Sequence, residues 1–169
     1  MNKAFIFRIC PTKEQQVLFA KTFGCCRFIY NKMLADKKAY YDANGKTLQT
    51  TPAQYKTDYP WLKEVDSLAL CNVQLHLQSA YAMFFKKQTE FPKFKNKKDN
   101  KNNSYTTNNL KDSIRIEDNK LRLPKIGLVK IKLHRNIPDN YEIKSVTIKK
   151  MPTGKYYASI LFEYEHVIE

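Results

Sequence analysis

The sequence is poor in glycine, in acid and in the residue clusters that build catalytic sites. Its four glycines cannot furnish a glycine-rich loop that wraps a phosphate with backbone N–H groups. Cysteines stand at Cys10, Cys25, Cys26 and Cys71, yet none forms a C-x-x-C pair, and His76, His134 and His166 are not spaced with them as zinc ligands. Adjacent Cys25 and Cys26 are poorly placed to bridge to each other, so reduced and mostly buried thiols are expected. No apolar run is long enough to cross a bilayer, and the opening residues lack the apolar core and cleavage site of a signal peptide. No basic helix shows a clean apolar face either. The expectation is a cytoplasmic protein that makes no membrane contact. No Ser/His/Asp or Cys/His set stands in a recognisable catalytic context, and no internal repeat is visible.

Acid is scarce against base: 16 Asp and Glu face 30 Lys and Arg, a formal charge of +14 on 169 residues. An excess of that size in a small chain points to a polyanionic partner, nucleic acid first. Hydrophobic residues make up 43%, enough for a core in one domain or two small ones. The charge concentrates in residues 84–109, where Lys86, Lys87, Lys93, Lys95, Lys97, Lys98 and Lys101 are opposed only by Glu90 and Asp99. Phe84, Phe85, Phe91, Phe94 and Tyr105 are interleaved with them. Lysines can neutralise phosphates while rings stack on unpaired bases; equally, the rings can pin the ends of a solvated linker. Both readings stay open from this stretch alone.

Helical periodicity precedes the stretch and strand alternation follows it. Residues 4–9 alternate, with Phe5, Phe7 and Ile9 on one side and Arg8 on the other, a short strand without a nearby partner that should pair with the later sheet. Pro11 ends it, and Thr12 with Gln15 forms a capping box that opens a helix to about residue 23. Gly24 is expected to break that helix, and a second one runs over residues 27–42, closed by Asn44-Gly45. Such a pair is compatible with a helix-turn-helix. Thr51-Pro52 starts a helical turn, and Trp61 is expected in the core. Asp66 or Ser67 caps a long helix to about residue 87, with Leu70, Val73, Leu77, Tyr81 and Phe84 buried and Asn72, His76, Ser79 and Met83 elsewhere.

After the stretch, residues 114–116 and 120–123 flank the turn Glu117-Asp118-Asn119, a hairpin. Strands over 128–133, 143–150 and 156–165 follow. Val129, Ile131 and Leu133 share one face, as do Val146 and Ile148, while Lys130, Lys132 and Lys149 take the other, and Arg115 and Arg122 alternate in the same way. One apolar and one basic face predict a half-buried antiparallel barrel or sandwich with a phosphate-friendly outside. The carboxylates do not assemble into a two-metal nuclease set: Glu64, Asp66, Glu117 and Asp118 suit caps and turns, and Glu163 and Glu165 end the last strand. The residues read as a binding module with no cofactor and no resident metal.

The segments KAFIFRICPTKEQ, FGCCRFIYNKML, YPWLKEVDSLAL, FPKFK, IRIEDNKLRLPKIGLVKIKLHR and SVTIKKMPTGKYYASILFEYE resemble the amino-terminal part of TnpB (OrfB-type) proteins, transposon-encoded RNA-guided DNA endonucleases. The resemblance implies an α+β fold: a wedge-like, OB-like antiparallel β-barrel with an inserted helical recognition domain. It divides the chain into a first barrel strand (1–10), a helical recognition domain with basic linker (11–103) and the rest of the barrel (104–169). It implies a guide RNA and duplex DNA as partners. The family's RuvC-like nuclease domain is expected beyond the last strand, so this chain is expected not to cleave by itself, with a separate nuclease polypeptide as a further partner. The short DNA motif is expected at Thr50, Gln54, Ser67, Leu68, Cys71, Thr107, Asn108 and Asn109. RNA contacts are expected at Lys86, Lys87, Lys93, Lys95, Lys97 and Lys98, and on the sheet at Arg115, Arg122, Lys130, Lys132 and Lys149. The alternative from the residues is a stand-alone helix-turn-helix DNA-binding transposon regulator.

Overall fold

A computed structural model describes residues 1–99 and 103–165; Lys101 and His166 lie outside the described residues. The elements run β1 (Asn2–Cys10), α1 (Lys13–Asn44), α2 (Pro52–Tyr55), a 3-10 turn (Pro60–Glu64), α3 (Ser67–Phe85), β2 (Ser104–Asn108), β3 (Arg115–Glu117), β4 (Lys120–Leu123), β5 (Gly127–Lys132), β6 (Glu142–Lys150) and β7 (Tyr156–Glu163). All seven strands join one antiparallel sheet in the order β2-β6-β7-β1-β5-β4-β3. The amino-terminal strand therefore takes the centre, between β7 and β5, as its lack of a local partner predicts.

The sheet is curled but not closed: β2 and β3 are its edges, which corrects the expectation of a barrel to an antiparallel half-barrel. Chain geometry requires the curl. Seven flat strands would hold the edges roughly 29 Å apart, whereas the seven residue steps from Asn108 to Arg115 reach roughly 24 Å at full extension. The link is in fact turned, with Lys111 and Asp112 at φ 53° and 59°. Asn109 anchors it, donating from its side chain to Ile143 O (2.9 Å) and accepting from Ile114 N (3.0 Å). The edges are thus bridged by a loop and not by a strand ladder.

The concave face is apolar. Phe5, Phe7 and Ile9 meet Val129 and Ile131 on one side and Tyr156, Ala158, Ile160 and Phe162 on the other, with Val146 and Ile148 beyond. Each fully buried side chain of this size contributes about 1.5–3 kcal/mol. Phe19 and Phe23 of α1 cover this face, stacking near Tyr105 and Tyr156 with ring centres 5.7–6.3 Å apart. Leu133 departs from its expected face: β5 ends at Lys132, and Leu133 is exposed. Strand β2 was not legible as a strand, because SYTTN is short and polar; Tyr105 and Thr107 nevertheless face inward. Trp61 is 42% exposed and packs edge-on against Phe28 and Tyr59 instead of entering the core.

The capping box at Thr12 and Gln15 forms as predicted, but α1 then runs unbroken through Gly24 to Asn44, where Gly45 closes it in the left-handed conformation. Glycine inside a helix costs only about 1 kcal/mol relative to alanine, and burial of Phe23, Cys25, Cys26 and Ile29 around it outweighs that cost. No turn separates two helices here. A Cβ at position 24 would meet nothing nearer than the Arg27 side chain at 3.8 Å. Gly24→Ala is therefore expected to stabilise the chain by about 0.5–1 kcal/mol in chemical denaturation. A loss of stability would show that residue 24 sits in a turn.

Candidate nucleic-acid interface

Pleating sends alternate residues of a strand outward, and the register decides which of them become neighbours. Arg115 lies opposite Arg122, Lys120 opposite Lys130, and Lys132 opposite Arg8. These like-charge pairs follow one another across β3, β4, β5 and β1 on the convex face. From Arg8 the row continues to Tyr157 on β7 and Lys149 on β6. Arg8 and Tyr157 are half-buried, and the other members are exposed. Like charges directly opposite one another in a sheet cost several tenths of a kcal/mol per pair, on the order of the gain from opposite charges. Glu117 offsets Arg115 through an ion pair. The Arg8 Nε is buried with no hydrogen-bond partner among the described residues. A polyanion across this face would relieve both the repulsion and the unmet donor. Arg8 and Tyr157 join the row only through the register, and sequence alone gave no more than the outward phase of Arg8.

The lysine-rich segment is less uniform. Lys86, Lys87, Lys93, Lys97 and Lys98 are exposed, and Lys93 pairs with Glu90 at 3.4 Å. Lys95 turns inward. Its Nζ lies 4.3 Å from the centre of the Tyr30 ring, and its backbone exchanges hydrogen bonds of 2.7 and 2.8 Å with the Asn31 side chain. Burial lowers its pKa from the ordinary lysine value. Lys95 fastens the segment to α1, which removes it from the free phosphate contacts.

The expected DNA-reading residues divide in the same way. Ser67 and Cys71 are exposed on α3 and Leu68 is half-buried, while Gln54 is exposed and Thr50 half-buried. The Gln54 carboxamide oxygen accepts from Thr51 N–H at 3.3 Å, completing the cap of α2. Thr107 is fully buried and its hydroxyl donates to the Asp66 carboxylate. That position is structural, since a side chain inside the helix–sheet seam cannot touch a base. Asn108 Oδ1 accepts from Asn72 Nδ2 at 2.7 Å, and Asn109 is held in the β2–β3 link. Asn72, expected on the open side of α3, is buried, and its amide also reaches Leu68 O and Thr106 O at 2.9 and 3.0 Å. The seam thereby fixes the start of α3, carrying Ser67 and Cys71, to the end of β2.

Several carboxylates are engaged locally. Asp66 caps α3 through Leu68 N–H at 3.0 Å, Glu64 pairs with Lys21 at 3.7 Å, and Asp36 with Lys32 at 3.3 Å and the Tyr55 hydroxyl at 2.8 Å. Among the described residues no three His, Cys, Asp or Glu gather where they could hold a metal ion. Burial pushes the Cys25 thiol up to about 11 and the Cys26 thiol up to about 12, so both stay protonated and inert near neutral pH. Cys71, by contrast, is exposed, and Cys10 is half-buried.

A helix-turn-helix domain of the OrfB/IS605 type matches residues 1–46; in the structure this span holds β1 and the uninterrupted α1. The chain is 29% identical over 171 residues to a protein of Streptomyces pristinaespiralis named as an RNA-guided DNA endonuclease, covering 96% of this chain and 42% of that protein. It is 29% identical over 170 residues to one from Escherichia coli K12 named as the RNA-guided DNA endonuclease InsQ, covering 96% and 41%. A virulence protein of Salmonella dublin, VsdF, is 34% identical over 105 residues, 53% of this chain and 88% of that protein. The chain thus spans about two-fifths of the length of the two endonuclease relatives. The matched domain and the two endonuclease relatives together place the chain among OrfB-type proteins. The chain belongs to the TnpB (OrfB-type) family.

Thr107→Val keeps the shape of the side chain but leaves one buried Asp66 oxygen without its donor. It is expected to cost about 1–3 kcal/mol in chemical denaturation, and Ser67→Ala, on the exposed side, less than about 0.5 kcal/mol. Equal costs would contradict the division into seam and surface.

Proposed function

We propose that this chain is the guide-RNA- and DNA-binding part of a TnpB-type RNA-guided DNA nuclease. In this reading residues 1–10 and 104–169 form the wedge-like, OB-like unit and residues 11–103 the inserted recognition unit. The observation that carries it is the succession of like-charge cross-strand pairs on the convex face, Arg115–Arg122, Lys120–Lys130 and Lys132–Arg8. A sheet that sustains such repulsion opposite an apolar core is built to meet phosphate. Guide RNA lies over this face and along the exposed lysines of residues 86–98. The duplex motif is met by Ser67 and Cys71, with Gln54 beside them. Cleavage is left to the carboxylates of a nuclease domain or polypeptide; Asp36, Glu64 and Asp66 of this chain are engaged in ion pairs and a helix cap.

Binding to a structured guide RNA should fall steeply with salt, since each neutralised phosphate releases counterions. Replacing Lys130, Lys132 and Lys149 together with Gln is expected to lower the log–log salt slope by about 2–3 and leave the thermal midpoint unchanged or raised. Ile131→Asp, which buries an unpaired carboxylate, should instead unfold the sheet. Titrations at several salt concentrations decide it. A flat salt response, or equal affinity for the RNA and for random duplex DNA, contradicts specific RNA recognition.

A further inference from the structure

Away from the sheet, the carboxyl-terminal halves of α1 and α3 diverge around a cleft of about 460 Å³. Its walls are the rings of Tyr41, Tyr81, Phe84, Phe85 and Phe91. Phe91 stands at right angles to both Tyr81 and Phe84, with ring centres 5.5 and 5.2 Å away, while Tyr81 and Phe85 lie nearly parallel at 6.1 Å. Tyr41, Phe85 and Phe91 are exposed, so these rings are not completing a core. Lys37 supports the wall: its buried Nζ donates to Leu48 O at 2.7 Å and lies 5.6 Å from the Tyr81 ring centre. The Tyr81 hydroxyl is buried and has no hydrogen-bond partner among the described residues. Enclosed in this way, the hydroxyl is out of reach of a ligand, and what Tyr81 presents to the cleft is its ring. At the rim Lys38 is exposed, and Lys86 and Lys87, also exposed, follow directly on α3. Flat aromatic walls and a rim on which these three lysines outnumber Asp42 match two parts of a nucleotide, base face and phosphate.

We infer that this cleft takes one unpaired base of a single-stranded nucleic acid, held between the aromatic walls and flanked by phosphates on Lys38, Lys86 and Lys87. The inference rests on the reading of the chain as an RNA-binding unit and adds a separate site to it. The cleft shares no residue with the convex face of the sheet, so the strand would be gripped at two places. An apolar side chain of another protein would meet the same rings, but it would leave the lysines unpaired.

The test uses the whole chain and a short single-stranded RNA carrying one 2-aminopurine, with the matching DNA strand as a second arm. Wild-type protein should quench the 2-aminopurine fluorescence on binding. Phe85→Ala is expected to weaken affinity about tenfold and abolish the quench. Because Phe85 is 56% exposed, its thermal midpoint should hardly move. Quenching of both strands assigns the cleft to the base regardless of the sugar; quenching of the RNA alone assigns it to RNA. Undiminished binding and quenching in Phe85→Ala overturns the inference and leaves the proposed function standing. Absence of RNA binding by the wild type removes both. Self-association that Phe85→Ala abolishes, with RNA binding unchanged, assigns the cleft to protein contact and overturns the inference equally.

Discussion

The fold depends on the pairing of β1 with two strands that the chain supplies much later. Residues 2–10 sit in the middle of the sheet, bonded along most of their length to β7 and at their end to β5. The amino-terminal ammonium donates to Tyr164 O at 2.8 Å, and Tyr164 N–H returns a bond to Met1 O at 2.9 Å. Closing so long a loop is less costly than its length suggests, since loop entropy grows only logarithmically. The contact is nonetheless formed over a large sequence separation, and all the helices lie within the closed loop. Burial of Phe5, Phe7 and Ile9 makes the closure worthwhile. It also sets the phase of the sheet: with those three facing the core, Arg8 must face outward, and its neighbours by register are Lys132 and Tyr157.

Two demands meet in that sheet. The concave side needs continuous apolar contact with α1, which Phe19 and Phe23 provide against Tyr105 and Tyr156. The convex side carries charge of one sign, and its repulsion is tolerable because the core holds the strands in register from behind. Polar bonds tie the helical layer to the sheet: Asp66 with Thr107, and Asn72 with Thr106 and Asn108. Such bonds add little net stability, but each is costly to break, and they therefore fix orientation. The exposed start of α3 is held at the sheet edge by them. A duplex read there and an RNA on the convex face would be placed relative to each other by this seam.

Much of this was legible in the sequence, for particular reasons. Strict alternation in β1, β5 and β6 revealed the two faces, and the Asp118-Asn119 turn, with both residues at positive φ, revealed the β3–β4 hairpin. Capping residues marked the starts of α1, α2 and α3 correctly. Gly24 misled because the cost of a helical glycine is small beside the burial around it. Thr107, Asn108 and Asn72 misled because polar side chains in a helix–sheet seam look, in sequence, like surface groups free to meet a ligand. The like-charge pairs were hidden for a different reason: they arise from register between distant strands, which alternation within one strand cannot show. The aromatic cleft joins residues of α1 to those beyond α3, so its rings could be seen but not their convergence.

The central claim is that nucleic acid lies on the convex face of the sheet. Tyr156 and Tyr157 are adjacent in sequence and point to opposite sides, Tyr156 buried beneath Phe19 and Tyr157 in the basic row between Arg8 and Lys149. Ultraviolet cross-linking of the chain to the proposed guide RNA, mapped residue by residue by mass spectrometry, separates the two. The account predicts cross-links at Tyr157 and none at Tyr156. Cross-links confined to the helices, with Tyr157 unmodified, would contradict it.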